Sequence, residues 1–91
     1  MKNLEKILKG LANRRRLRII KLLLKNKEMT VTEISEMINL SFKSTSRHLS
    51  ILRHLEIVDK RQMGLNMRYY LSHPLPAVLK LILPYIPNSH E

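Results

Sequence analysis

Between Leu40 and Leu55 the chain reads LSFKSTSRHLSILRHL, and the side chains in it that are able to do chemistry are cationic or carry hydroxyls. Set around a helix at about 100° per residue, Lys43, Ser46, Arg47, Ser50, Arg53 and His54 gather on one side. Phe42, Thr45 through its methyl, Leu49, Leu52 and Leu55 recur at the spacing of a side that faces inward. The outer side contains no acid. Arg presents paired N–H donors that match guanine O6 and N7, Ser adapts to several geometries, and Lys brings a point charge. A solvated surface helix usually sets Glu against Lys or Arg one turn on, and those partners are missing here. Taken alone, the helix is open to two readings, a solvated positive face or a surface for a polyanion.

Composition narrows the choice. Ninety-one residues make one domain, 1–91, with 17 Lys and Arg against 7 Asp and Glu and a formal net charge of +10. That excess points to a polyanionic partner, nucleic acid first and an anionic membrane surface second. The longest nearly apolar stretch, Leu75 to Ile86, is broken by prolines and Lys80 and is too short to span a bilayer. The opening MKNLEKILKGL lacks the apolar run and cleavage site of a secretory signal, so a cytoplasmic protein is expected. The absence of cysteine excludes disulfides, thiolate metal sites and cysteine nucleophiles. With Gly10 and Gly64 the only glycines there is no phosphate-cradling loop, and none of the seven acids is visibly paired with a histidine, so no enzyme and no cofactor are expected.

The elements that would position the basic helix follow from local signals. Leu4, Ile7, Leu8 and Leu11 mark an amphipathic first helix, about 3–11, with little of its own to pack on. Asn13 can cap a second helix from Arg14 to Lys25, with Leu17, Ile20 and Leu24 inward and Arg14, Arg18, Lys21 and Lys25 on a solvated or phosphate-facing side. Three arginines at its start oppose the helix dipole, a local cost that hints at a use. Met29 to Val31 can add a short extended segment. Thr30 and Glu33 form a capping box for a short third helix, Val31 to Ile38, with Val31, Ile34, Met37 and Ile38 inward. Asn39, Leu40 and Ser41 make a tight turn in which Asn39 suits a positive φ, and Ser41 caps the basic helix. Two short-linked helices with the second basic outside match a helix-turn-helix.

Past Leu55 the period turns from helical to alternating. Ile57 and Val58 lead a strand through Lys60 and Arg61, Gly64 and Asn66 mark a turn, and Met67, Tyr69 and Leu71 alternate with Arg68 and Tyr70. A basic hairpin in this place reads as a wing suited to a minor groove or to phosphates, or else as a plain covering hairpin. Near the end, Pro74 and Pro76 precede a helix of about Leu75 to Leu83 that is apolar nearly all round, and Pro84 and Pro87 end it. Such a helix must be covered on every side, which points to a subunit interface shared with the first helix; a membrane-facing helix is the alternative.

The order of these pieces resembles the winged helix-turn-helix repressors of the arsenic-repressor (ArsR/SmtB) family, from about Leu11 to Leu71. It rests on LANRRRLRIIKLLL, MTVTEISEMINLS, STSRHLSILRHLEIV and a wing ending MRYYLS. The resemblance implies a mainly α fold with a β-hairpin wing and a homodimer joined by the first and last helices, about 3–11 and 75–83. The partner it implies is double-stranded operator DNA, read as two half-sites about one helical turn apart. By position it implies that Lys43, Ser44, Ser46 and Arg47 enter a major groove, and that Arg61, Asn66 and Arg68 contact DNA from the wing. His48 projects toward Leu52 and Leu55 and is expected to pack rather than to read bases, while His54 faces solvent or phosphate.

The chain also departs from the family. Asn13, Arg14 and Arg15 replace an acid, a proline and a threonine, and Thr30 and Thr32 stand where metal-sensing members carry cysteines. Leu75 to Leu83 lacks the ligands of the terminal-helix metal site, and His73, His90 and Glu91 do not match its spacing, so no metal site is assigned. A winged-helix protein-interaction module without specific DNA binding is the other functional reading.

Overall fold

The computed structural model describes residues 3–87; His90 and Glu91 lie outside the described residues. In chain order the elements are α1 (Leu4–Leu11), α2 (Arg14–Asn26), β1 (Glu28–Thr30), α3 (Val31–Ile38), α4 (Phe42–His54), β2 (Val58–Met63), β3 (Asn66–Leu71) and α5 (Ala77–Ile82), which tightens into a 3₁₀ turn at Leu83–Tyr85.

Side-chain caps fix the helix starts. The Asn13 side chain accepts from the Arg16 N–H at 3.1 Å, and the Ser41 hydroxyl from the Ser44 N–H at 3.1 Å. The Thr30–Glu33 box closes in both directions, at 3.1 and 2.8 Å. Asn39 takes the left-handed conformation, with φ 55°, and ends α3 so abruptly that α4 starts three residues later.

The core lies under α2. Ile19, Ile20, Leu22 and Leu23 meet Ile34, Leu49, Leu52 and Ile57, all essentially without solvent access. A Cβ on Gly10 would land on Leu55 Cδ1, so this position in α1 keeps glycine because the C-terminal end of α4 presses on it.

Several expectations shift. The extended segment before α3 is a true strand, and it joins the hairpin in a three-stranded antiparallel sheet ordered β1-β3-β2. The pairings Met29↔Tyr69 and Val58↔Leu71 place the buried residues on one face. Periodicity predicts Phe42, Met37 and Leu24 to face inward, yet they are 59%, 53% and 48% exposed. Phe42 opens α4, ahead of the first inward residue the body covers, and Met37 and Leu24 sit at the margins of their apolar stripes. The last helix is shorter than Leu75 to Leu83. Pro76 takes its N-cap position with ψ 139°, and Pro84 lies in the 3₁₀ turn that follows.

Candidate nucleic-acid interface

Because Thr45, Leu49 and Leu52 lock α4 onto the body, its opposite side is carried outward as a fixed surface. Lys43, Arg47, Ser50, Arg53 and His54 are exposed, and Ser44 and Ser46 are half-buried beside them. Among the described residues neither Lys43 nor Arg47 has an ion-pair partner, so both cations are available to an anion. Arg53, at the far end, pairs with Asp59 of β2 at 3.6 Å and ties the helix to the hairpin.

The wing residues are arranged differently. The register sets Arg61 directly opposite Arg68, two like charges on the outer face of the sheet. Two acids answer them: Glu28 binds Arg61 at 2.9 Å and Glu33 approaches Arg68 at 3.7 Å. Arg61 also lies over the Tyr70 ring, 5.6 Å from its centre. Asn66 is exposed at the hairpin end, paired with Met63. The structure thus brings Lys43, Ser44, Ser46 and Arg47 together on α4, and Arg61, Asn66 and Arg68 on the wing, with the two arginines already held by carboxylates. Composition gave no sign of those pairs, because Glu28 and Glu33 lie over 30 positions away in the chain.

His48 is half-buried, facing back from α4 to α2. There the Arg16 guanidinium donates through Nη1 to His48 Nδ1 at 3.2 Å. Arg has no acceptor, so Nδ1 must accept and the neutral ring carries its proton on Nε2. Arg16 also donates through Nε to the Gly10 carbonyl and through Nη2 to the Lys9 carbonyl at 3.4 Å. It therefore satisfies the free end of α1 while bracing α4. Helical periodicity does not single out Arg16; the signal in the sequence is the run of arginines at a helix start, which makes sense once one of them serves the C-terminal end of another helix.

Among the described residues no three His, Asp or Glu side chains cluster as metal ligands, and no helix is long and apolar enough to cross a membrane.

A short capped helix, a tight turn, a basic helix with its outer face bare of acids and a cationic hairpin define a winged helix-turn-helix DNA-binding protein. Residues 13–60 match the family described as bacterial regulatory protein, arsR family. The chain is 41% identical over 77 residues to the transcriptional activator HlyU of Vibrio cholerae, covering 84% of this chain and 70% of that protein. It is 30% identical over 79 residues to the transcriptional repressor PagR of Bacillus anthracis, covering 86% and 79%. The structure of reduced HlyU from Vibrio cholerae superposes with a TM-score of 0.75 at 35% identity, over 89% of this chain and 85% of that one. The chain belongs to the arsR family of bacterial regulatory proteins, and is a DNA-binding regulator of transcription.

Proposed function

We propose that the chain is a homodimeric repressor working in the cytoplasm by occupying operator DNA rather than by catalysis. Lys43, Ser44, Ser46 and Arg47 meet base edges and phosphates in the major groove. Arg61, Asn66 and Arg68 approach the flanking backbone from the wing, the two arginines exchanging Glu28 and Glu33 for phosphates. The observation that carries this reading is the acid-free outer face of α4, where exposed Lys43 and Arg47 have no ion-pair partner among the described residues. PagR is named a repressor and HlyU an activator; a compact body seated on a promoter blocks polymerase access, which favours repression.

Gel shifts with duplex DNA from the gene's own promoter test it, with an unrelated duplex as competitor. Arg47→Ala is expected to lower specific affinity about 5- to 100-fold and to narrow the gap to the competitor, the loss of one two-pronged base contact. Lys43→Ala is expected to weaken both duplexes alike and to flatten the slope of log affinity against log salt by about 1. A wild-type protein that shows no preference over competitor at physiological salt overturns the reading. Transcription in vitro that rises on adding the protein overturns repression alone.

A further inference from the structure

The wing ends in an apolar side chain offered entirely to solvent. Met63 and Asn66 form the last pair of the hairpin, which leaves Gly64 and Leu65 as a two-residue loop. Gly64 has φ +63° while Leu65 is not among the residues of positive φ, the pattern of a type II′ turn with glycine in its first central position. The Gln62 side chain braces the turn by donating to the Gly64 carbonyl at 3.0 Å. Leu65 is 99% exposed on this short, braced loop, and Met63 beside it is 41% exposed. Polar residues serve such turns equally well, so the fold itself gains nothing from leucine there.

We propose that Leu65 seats in the DNA minor groove beside the α4 site and discriminates A·T from G·C pairs there. This rests on the DNA-binding reading above. Three features favour DNA over another apolar partner. Arg61 and Arg68, opposite one another in the register, both stand about 10 Å behind the tip along their strands, where the phosphates that wall a groove would meet them. The hairpin is continuous with α4 through Ile57 and the Arg53–Asp59 pair, so a recognition helix in the major groove carries the wing toward the adjacent minor groove. A minor groove about 6 Å wide admits a slender turn, and apolar side chains inserted there are a known means of gripping DNA. Specificity then follows from desolvation. Under A·T the leucine covers a groove floor without donors, whereas under G·C it covers the guanine N2 amino group and strips its water without offering an acceptor.

The test uses the full chain and promoter duplexes, with the base pairs under the wing located by hydroxyl-radical footprinting. Replacing A·T by G·C at those pairs is expected to weaken wild-type binding about tenfold. Replacing them by inosine·cytosine, which lacks the N2 amino group, is expected to restore it. Leu65→Ser should bind the A·T duplex about five- to tenfold more weakly, with an unchanged salt slope because no phosphate contact is lost, and should discriminate G·C less. Its thermal midpoint should match the wild type. If Leu65→Ser behaves like the wild type on all three duplexes while Arg47→Ala loses affinity, the proposal fails and the DNA-binding reading stands. If the wild type binds no promoter duplex specifically, both fall. If Leu65→Ser leaves DNA binding intact but abolishes association with a second copy or a protein partner, the tip belongs to that partner instead.

Discussion

At His48, burial first and then the positive charges of Arg16, Arg15 and Arg47 hold the imidazole pKa below its ordinary 6.5. The hydrogen bond from Arg16 requires the neutral ring, so the geometry acts in the same direction. In the unfolded chain the ring regains its ordinary pKa and binds a proton earlier as pH falls. The stabilisation from a neutral His48 is therefore complete above 6.5 and is lost as pH drops from there through the lowered folded value. His48→Asn keeps an acceptor near the Nδ1 position but cannot titrate. Urea midpoints measured between about pH 7.5 and pH 5 should fall more steeply for the wild type than for this variant. Parallel curves would mean that His48 protonates as freely in the folded chain as in the unfolded one. Half of this residue's story is legible in sequence: helical periodicity turns His48 away from Arg47 and into the body. Its partner is not, because Arg16 lies 32 positions earlier and the contact exists only once α2 and α4 have packed.

Elements are readable where their ends are written in local chemistry. The Thr30–Glu33 box, Ser41 and Asn39 each act within a few residues of chain, so the helix-turn-helix is placed nearly residue for residue. Strand β1 is three residues long, too short for an alternation to register, and its identity comes from β3 across the sheet. The wing arginines show the same limit, since their acid partners come from β1 and α3. The end of α4 offers a test at this scale. Glu56 adopts φ 63° just past the helix, its N–H bonding the Arg53 carbonyl while the Ile57 N–H bonds that of Leu52. This left-handed position favours glycine, and a side chain there costs about 1 kcal/mol. Glu56→Gly should raise stability by about 0.5 kcal/mol or more, the gain being reduced by the freer unfolded chain. A urea titration reads this directly, and a lower midpoint would show that the Glu56 side chain contributes to the fold in its own right.

The whole molecule poses the question of what covers α1 and α5. Their apolar character suggests a partner, yet the fold already uses one side of each: Ile7 and Leu11 are buried in the monomer, as is Leu79. What remains outside is Leu4 and Leu8 on α1, 58% and 46% exposed, and Leu81 on α5 with Tyr85 beyond it, 74% and 83% exposed. A cleft of about 750 Å³ runs between the starts of α1 and α5 and the turn after α4, lined by Leu4, Ile7, Leu55 and Val78 together with the charged Arg53, Glu56 and Asp59. On the homodimer reading proposed above, the exposed leucines of α1 and α5 are the surface expected to meet across the two-fold, and a net charge of +10 would keep the copies apart without such a patch. Leu81→Glu puts a charge at its most exposed aliphatic position, where the monomer has no packing to lose. By sedimentation at about 10 µM this variant should be a monomer while the wild type is a dimer, since burying a carboxylate from each copy at the interface costs several kcal/mol. Specific DNA affinity should then fall well over tenfold, because a lone monomer holds one half-site and loses the linkage between two. A variant that stays dimeric would move the interface elsewhere, and one that is monomeric yet binds with full affinity would mean that a single α4 and its wing suffice.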